Sequence, residues 1–267
     1  MMEVRSNMIE VIVTGAAGRM GGEVVKAVTA ADGMRVAAAV DASGATGTVD
    51  DGQGGSVPLT YDLASALSEG GQRVLVDFTV PGAVEANVTT ALAAGVHCVV
   101  GTTGVTDARW REVAAASRDV CLFVAPNFAI GAVLMMRFAQ SAAKYMPSAE
   151  IIELHHDRKL DAPSGTAMRT ASLIAAARGE SPASPGRETE VAPGARGAEV
   201  DGVNVHSVRL PGLVAHQEVI FGGLGQTLTI RHDSIDRTSF MPGVVLAVRE
   251  VVSRSGLVIG LEELMGL

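Results

Sequence analysis

Short, valine-rich apolar runs alternate with longer segments of helical periodicity through the first half of the chain. Continuous apolar runs bounded by turn residues are typical of buried strands, and they are predicted at residues 9–14, 34–40, 74–78, 96–100 and 120–124. Helices are predicted between them at residues 20–31, 84–94 and 108–117. Strands that alternate with helices and lack a polar face indicate a parallel sheet that is buried on both sides.

The order of elements changes after residue 128. A helix at 129–145, a strand at 149–154 and a helix at 165–178 precede three consecutive strands at 205–210, 214–222 and 226–233. Strands grouped in this way predict an α+β unit with a mixed, mainly antiparallel sheet. A last helix at 241–253 is expected to return to the first unit. The glycine-rich or polar segments 42–56 and 179–204 are predicted to be loops.

Composition indicates a soluble globular protein. The chain has 267 residues, of which 48% are hydrophobic, which is enough for one large or two modest domains. A formal charge of −8, one Trp and two Tyr make nucleic acid an unexpected partner. No apolar run approaches the roughly 18 residues of a membrane span, and the N-terminus has no signal-peptide core. We therefore expect no membrane partner and a cytoplasmic location.

The two cysteines, Cys98 and Cys121, lie in short apolar runs and lack the spacing of metal ligands. Such thiols are typically buried and unreactive. We expect neither a metal site nor a disulfide framework.

The first strand-to-helix turn carries the run G-A-A-G-R-M-G at 15–21. Glycines there let backbone N–H groups approach a pyrophosphate at a helix N-terminus. Asp41 ends the second strand about 20 residues later, where a carboxylate accepts the ribose hydroxyls of a dinucleotide. The alternative is a turn-initiating Asp. A carboxylate disfavours a 2′-phosphate whereas Arg19 attracts one, so NADH is the primary expectation and NADPH the alternative.

Two further turns follow predicted strands, with the runs G-T-T-G at 101–104 and A-P-N-F at 125–128. Ligands of an open parallel sheet bind beyond the carboxyl ends of its strands, so we expect both turns beside the nicotinamide. Ordinary turn chemistry is the alternative. The segment 77–79 is a further candidate of the same kind.

The segment 153–166 reads E-L-H-H-D-R-K-L-D-A-P-S-G-T and is predicted to be a loop that leads into a helix. Ser164 suits the N-cap, and Gly165, Thr166 and Ala167 then offer N–H groups to a carboxylate or phosphate. Two imidazoles, an ammonium and a guanidinium beside a helix N-terminus predict an anion site with proton donors. A solvated charged loop with an ordinary cap is the alternative.

Taken together, these motifs resemble those of the 4-hydroxy-tetrahydrodipicolinate reductase family, also called dihydrodipicolinate reductases, of bacterial lysine and diaminopimelate synthesis. The set also includes V-D-F-T, A-P-N-F-A-I-G and R-H-D-S-I-D-R-T-S-F, and it covers nearly the whole chain. The string H-H-x-x-K followed by D-A-P-S-G-T is specific to that family, whereas the glycine motif alone is not.

The resemblance implies NAD(P)H-dependent reduction of 4-hydroxy-tetrahydrodipicolinate, through dihydrodipicolinate, to tetrahydrodipicolinate. His155 would be the proton donor or acceptor and Lys159 the proton donor. The substrate carboxylates would be bound by His156, Gly165 and Thr166. The implied cofactor-binding positions are Gly15, Ala16, Ala17, Gly18, Arg19, Met20, Asp41, Gly101, Thr102, Thr103, Ala125, Pro126, Asn127 and Phe128. Asp157 and Arg158 stand where other members often carry different residues, and they are assigned no role.

The resemblance also implies a fold of class α/β in two parts. A Rossmann-like dinucleotide-binding domain would comprise residues 1–128 and 241–267, and a substrate-binding and oligomerisation domain residues 129–240. Family members close the two domains over their ligands and form homotetramers through the second sheet. Val219, Phe221, Leu228 and Ile230 would then line an exposed sheet face, or else face their own helices.

Two other functions fit parts of the pattern. One is a different nicotinamide enzyme, such as a dehydrogenase of an amino acid or its semialdehyde, although neither cysteine lies on a glycine-rich loop. The other is a dinucleotide sensor without catalysis, which has no use for His155 and Lys159. The sequence leaves open the NADH/NADPH ratio, regulation, and whether Met1, Met2 or Met8 is the physiological start.

Overall fold

The computed structural model describes residues 8–42, 47–68, 71–117, 119–179 and 189–267. The strands, numbered in chain order, are β1 (Ile9–Thr14), β2 (Met34–Val40), β3 (Thr48–Asp50), β4 (Ser56–Thr60), β5 (Arg73–Asp77), β6 (His97–Val100), β7 (Cys121–Val124), β8 (Ser148–His155), β9 (Ala198–Val200), β10 (Val203–Arg209), β11 (Ala215–Gly223), β12 (Gln226–Ser234) and β13 (Gly256–Ile259). The helices are α1 (Arg19–Ala30), α2 (Leu63–Leu67), α3 (Pro81–Ala93), α4 (Asp107–Ala115), α5 (Ile130–Ala143), α6 (Gly165–Arg178), α7 (Met241–Val251) and α8 (Leu261–Met265).

The apolar runs of the first half form one sheet in the order β13-β7-β6-β5-β1-β2-β4-β3. Its neighbouring strands are parallel, except that β3 and β4 are antiparallel. Every residue of β5 is buried, as are Val11, Ile12 and Val13 of β1. Such strands need helices on both faces of the sheet, and the predicted Rossmann-like fold is confirmed. The chain passes from one side of β1 to the other between β4 and β5, so the switch point lies at the carboxyl ends of β1 and β5.

The prediction of an exposed loop at 42–56 is wrong in part. Residues 48–50 form β3, which pairs with β4 and extends the sheet at its edge. The sequence does not predict this strand because three residues between glycine-rich segments are too few to show a strand periodicity. Residues 43–46 of that segment lie outside the described part of the chain. Strand β4 and the short elements α2, β13 and α8 are not predicted by the sequence patterns either.

A second sheet has the strand order β12-β11-β8-β10-β9. Strands β8 and β10 run parallel, and the other neighbours are antiparallel. Helices α5 and α6 pack on it, and the mixed, mainly antiparallel sheet is confirmed. Of the residues predicted either to line an exposed face or to face their own helices, Val219 and Phe221 are fully buried within this unit, whereas Leu228 is exposed.

The prediction of a continuous loop at 179–204 is also wrong in part. Strand β9 forms within it, and β10 begins at Val203. Strand β9 is stabilised by backbone hydrogen bonds to β10. The polar, glycine-rich sequence of this segment does not predict that pairing. Residues 180–188 lie outside the described ranges.

The chain divides into two compact units, one formed by Met1–Phe128 with Arg237–Leu267 and the other by Ala129–Asp236. The assignment of one unit to the dinucleotide and of the other to the substrate stays a prediction at this point. None of the helices in the described ranges is long and apolar enough to cross a bilayer.

Candidate active site

The turn between β1 and α1 brings backbone groups together more closely than any side chain would allow. Gly15 has a φ of +74°, and a Cβ atom on it would lie 2.6 Å from the carbonyl oxygen of Phe78. A Cβ on Gly21 would lie 2.6 Å from the carbonyl carbon of Gly15. The first turn of α1 therefore packs directly on the glycine turn. Ala17, Gly18 and Arg19 are exposed there, as an anion-binding helix N-terminus requires.

Asp41 lies beside this turn. Its carboxylate accepts a hydrogen bond from the backbone N–H of Ala17 at 3.1 Å. The turn and the carboxylate meet because β1 and β2 run in parallel, so that Thr14 pairs with Val40. Two of the predicted cofactor-binding positions thus lie in contact, and Arg19 is the first residue of α1 in the same region.

Asp77 connects the carboxyl ends of three strands. Its side chain is fully buried. It accepts hydrogen bonds from Thr14 Oγ1 (2.8 Å), Thr79 N (3.0 Å) and Oγ1 (2.7 Å), Asn87 Nδ2 (2.9 Å) and Thr102 Oγ1 (2.8 Å). These donors replace the water that a buried carboxylate loses. Asp77 therefore holds the ends of β1 and β5 and the turn after β6 in one arrangement.

The turns 101–104 and 125–128 are neighbours in space because β6 and β7 are adjacent strands. The rings of Phe78 and Phe128 lie 5.6 Å apart between their centroids. A Cβ on Gly101 would overlap with the ring of Phe78. Predicted cofactor positions at this edge differ in exposure: Gly101 and Asn127 are partly exposed, Thr103 and Pro126 are exposed, and Thr102, Ala125 and Phe128 are buried. Since the Thr102 hydroxyl donates its hydrogen to Asp77, Thr102 could donate to a ligand only through its backbone.

In the second unit, β8 extends through His155, so this histidine lies on a strand and not on the predicted loop. The loop begins at His156 and ends where α6 begins at Gly165. Ser164 is the N-cap as predicted, and its Oγ accepts the N–H of Ala167 at 3.2 Å. The expectation that Ala167 offers its N–H to a ligand is therefore wrong, whereas Gly165 and Thr166 are the first two residues of the helix.

The loop after β8 turns back on itself. The N–H of Lys159 donates to the carbonyl of His156 at 3.1 Å, which closes a turn over the exposed residues Asp157 and Arg158. The Lys159 ammonium donates to both carboxylate oxygens of Asp161, at 2.7 and 2.9 Å. The hydrogen bond from Lys159 lowers the pKa of Asp161. Asp161 thus holds the Lys159 ammonium in the same loop that follows His155 and His156 in the sequence.

His156 carries a buried Nδ1 atom without a hydrogen-bond partner among the described residues. A buried polar atom without a partner is costly, and at such a place it indicates a missing ligand group. A carboxylate of a bound anion would satisfy it. His156, Lys159 and the first residues of α6 therefore fit a dicarboxylate.

Sequence reasoning gave no role to Glu153 and overlooked Arg209. Glu153 is fully buried, and its carboxylate contacts His155 Nδ1, Arg209 and the N–H of Ser164. Burial alone would raise the pKa of Glu153, but hydrogen bonds from His155, Arg209 and Ser207 outweigh it and hold the pKa at about 2. An acidic residue two positions before His155 on a strand shares its face, which is a signal the sequence did contain. Arg209 lies 56 residues from Glu153, and no local sequence pattern connects the two.

A glycine turn at the switch point of a parallel sheet, followed by an acidic residue after β2, is the pattern of dinucleotide-dependent oxidoreductases. Two family models then match consecutive parts of the chain. The model described as dihydrodipicolinate reductase, N-terminus, matches residues 9–128, and the one described as dihydrodipicolinate reductase, C-terminus, matches residues 131–265. The chain belongs to the dihydrodipicolinate reductase family, which confirms the resemblance seen in the motifs.

Individual relatives agree with this assignment. A 4-hydroxy-tetrahydrodipicolinate reductase from Mycolicibacterium vanbaalenii is 54% identical over 96% of this chain and 98% of its own length. A solved structure of dipicolinate-bound dihydrodipicolinate reductase from Paenisporosarcina sp. is 43% identical, with a TM-score of 0.85 over 96% of this chain and 99% of that chain. An amine dehydrogenase from Mycobacterium smegmatis, 12% identical with a TM-score of 0.62, covers 97% of this chain and 96% of its own; it shares the fold alone.

Proposed function

We propose that this protein catalyses the NAD(P)H-dependent reduction of 4-hydroxy-tetrahydrodipicolinate, through dihydrodipicolinate, to tetrahydrodipicolinate in lysine and diaminopimelate synthesis. Its similarity to reductases of that name extends over nearly the full length of both chains. The observation that carries the proposal is the Glu153 carboxylate, which joins His155 to Ser164, the residue before α6, at the two ends of the loop that carries His156 and Lys159. Reduction of a dianion with a C=N bond requires cationic groups and proton donors such as these. A protein that only binds a dinucleotide does not require them.

The first unit supplies the cofactor site in this proposal. A bound NADH or NADPH would contribute the hydride. The glycine turn and the N-terminus of α1 would hold its pyrophosphate, and Asp41 would hold the adenosine ribose. The turns at 101–103 and 125–128 would flank the nicotinamide. Asp77 binds Thr14 at the end of β1 and Thr102 in the 101–103 turn, and so holds that turn against the end of β1. A site held rigidly in this way loses less entropy on binding.

The second unit supplies the substrate site and the protons. His156, Gly165 and Thr166 would bind the two carboxylates, with His156 Nδ1 gaining the partner it lacks. Hydride addition to a conjugated cyclic imine builds negative charge on the nitrogen side. His155 and Lys159 neutralise that charge by proton transfer, and a charged donor held in place stabilises the transition state.

The decisive experiment follows oxidation of NADH and of NADPH with freshly generated 4-hydroxy-tetrahydrodipicolinate and compares kcat/KM. We expect turnover with at least one cofactor. Dipicolinate, which is bound in the similar structure from Paenisporosarcina, is the control. It keeps both carboxylates but its aromatic ring resists hydride addition, so it should inhibit competitively without oxidising the cofactor. Absence of substrate-dependent oxidation with both cofactors would refute the proposal.

The choice between the cofactors is expected to depend on the charge of Asp41. Asp41→Asn removes the charge that repels a 2′-phosphate, while its amide oxygen can still accept the N–H of Ala17. The ratio of kcat/KM for NADPH over NADH should rise by about tenfold, which corresponds to about 1.4 kcal/mol. Arg19→Ala should move the ratio in the opposite direction. An unchanged ratio in Asp41→Asn would show that this carboxylate does not face the ribose.

A semialdehyde dehydrogenase mechanism needs a reactive thiolate, which neither cysteine supplies. Both thiols are buried in neighbouring strands of the first sheet. Burial raises the pKa of Cys98 far above its ordinary value and that of Cys121 to about 11. Thiolate nucleophiles have lowered pKa values and lie in accessible, electropositive surroundings. The burial of both cysteines that the sequence predicts is confirmed.

The homotetramer and the cytoplasmic location implied by the resemblance are part of the proposal. The second sheet would supply the subunit contacts. Leu224 and Leu228 at the β11–β12 hairpin are exposed, and an apolar surface of this kind favours a partner. Burial of Val219 and Phe221 removes these two residues from that surface.

A further inference from the structure

One buried carboxylate reaches three separate parts of the proposed substrate site. Glu153 Oε2 contacts His155 Nδ1 and accepts from Arg209 Nη1 at 2.9 Å. Its Oε1 accepts from Arg209 Nη2 at 2.7 Å and from the N–H of Ser164 at 3.3 Å. All these groups lie within the second unit, and Glu153 itself is inaccessible to solvent. The arrangement is therefore internal to the site and independent of any bound ligand.

The partners of Glu153 determine its ionisation. The two-pronged hydrogen bond from Arg209 is the geometry in which a guanidinium binds an ionised carboxylate. The same hydrogen bonds keep the pKa of Glu153 at about 2 against the effect of burial. An ionised carboxylate has no proton to donate, so the hydrogen in its contact with His155 must belong to Nδ1.

We propose that Glu153 is the positioning residue of this site: its carboxylate fixes His155 as the Nδ1–H tautomer and so makes Nε2 the nitrogen that exchanges protons with the substrate. This inference rests on the proposed function. The imidazolium form of His155 gives the Nε2 proton to the anion that hydride addition creates. The imidazole that remains keeps its Nδ1–H on Glu153, and solvent returns a proton to Nε2 after product leaves. Glu153 stays ionised throughout.

The same carboxylate positions the rest of the loop through Arg209. Arg209 Nη2 also donates to the carbonyl of Asp161 at 2.7 Å, and the side chain of Asp161 holds the Lys159 ammonium. The N–H of Ser164 binds Glu153 directly, one residue before α6. Glu153 thus sets His155, the segment of Lys159 and the start of α6 relative to one another. Such outer contacts decide whether reacting groups meet in a productive geometry.

The substitution Glu153→Gln tests this because the surroundings dictate the orientation of the new amide. Each oxygen position faces one donor of Arg209, Nη2 at Oε1 and Nη1 at Oε2. Only the Oε1 position also faces the backbone N–H of Ser164, which cannot become an acceptor, whereas His155 at Oε2 can, so the amide oxygen belongs at Oε1. The NH2 group then occupies the Oε2 position, opposite His155 Nδ1. His155 can accept from it only as the Nε2–H tautomer, which leaves Nε2 unable to take up a proton in the neutral state. The variant is expected to invert the tautomer.

The experiment records 15N chemical shifts of histidine-labelled protein without substrate. The chain has six histidines, and loss of one set of signals in His155→Asn identifies those of His155. At a pH high enough to deprotonate the imidazolium, wild-type protein should show the Nδ1–H tautomer, and Glu153→Gln the Nε2–H tautomer. The kcat of Glu153→Gln should fall at least about tenfold, with little change in KM. Its solvent deuterium isotope effect should be larger than that of the wild type, as expected for impaired proton transfer.

Glu150→Gln is the matched control. Glu150 lies on the same strand and likewise contacts an arginine and a histidine, Arg196 and His206. The Glu150→Gln variant should keep the wild-type kcat. An equal loss in this control would overturn the assignment, because the effect would then follow from removing any such carboxylate.

An Nε2–H tautomer in the wild-type protein would also overturn the inference, and this measurement decides the matter even if Glu153→Gln does not fold. A folded Glu153→Gln with unchanged tautomer and kcat would do the same. The tautomer is measured without substrate. A wild-type protein that shows Nδ1–H but reduces no 4-hydroxy-tetrahydrodipicolinate would therefore contradict the proposed function and leave the positioning of His155 standing.

Discussion

Lys159→Ala and His155→Ala are each expected to lower kcat by at least about a hundredfold, the usual contribution of a general acid or base. The affinity for NADH should remain nearly unchanged, since both residues belong to the second unit and the cofactor site is proposed in the first. Loss of a proton donor affects the transition state more than the bound substrate. Steady-state kinetics and a fluorescence titration with NADH would measure the two quantities separately.

Arg158→Ala is the control for these variants. It removes a cation from the same loop, one residue before Lys159, and the Arg158 side chain is exposed. We expect turnover close to that of the wild type. If the control lost as much activity as Lys159→Ala, the effect would reflect the net charge of the loop and not proton transfer. Wild-type turnover in both Lys159→Ala and His155→Ala would refute the assigned roles.

The second large effect is expected from Gly21→Ala. A Cβ on this residue would lie 2.6 Å from the carbonyl carbon of Gly15 and 2.8 Å from Cα of Ala16. These are backbone atoms, so the glycine turn itself must move. Overpacking of this kind costs about 1–3 kcal/mol, and displaced N–H groups no longer match a pyrophosphate. We expect a lower unfolding temperature and an NADH affinity reduced by at least about tenfold, which corresponds to about 1.4 kcal/mol.

The next residue provides a matched control in the same helix. A Cβ on Gly22 would lie 3.8 Å from the carbonyl oxygen of Ala16, an ordinary van der Waals distance. Replacing glycine by alanine inside a helix stabilises it by about 0.5–1 kcal/mol. Gly22→Ala should therefore unfold at a slightly higher temperature and bind NADH like the wild type. Normal NADH binding by Gly21→Ala would show that the turn accommodates the methyl group.

Much of the fold is predictable because its signals are local. Buried parallel strands read as valine-rich runs, and the helices between them show their own period. Ser164 could be predicted as an N-cap because the capping hydrogen bond spans only three residues. Short edge strands such as β3 and β9 escaped, since three residues do not establish a period and their pairing partner decides their conformation.

The sequence by itself determined the two-part α/β architecture, the glycine turn with Asp41, and the grouping of His155, His156 and Lys159 in one segment. Only the tertiary structure decided how these groups are held. Asp77 gathers donors from Thr14 and Thr102, which are 63 and 25 residues away, and Glu153 meets Arg209 across 56 residues. Such contacts depend on which strands become neighbours and in which register. A buried carboxylate must find its donors wherever the fold brings them, and no local pattern records that choice.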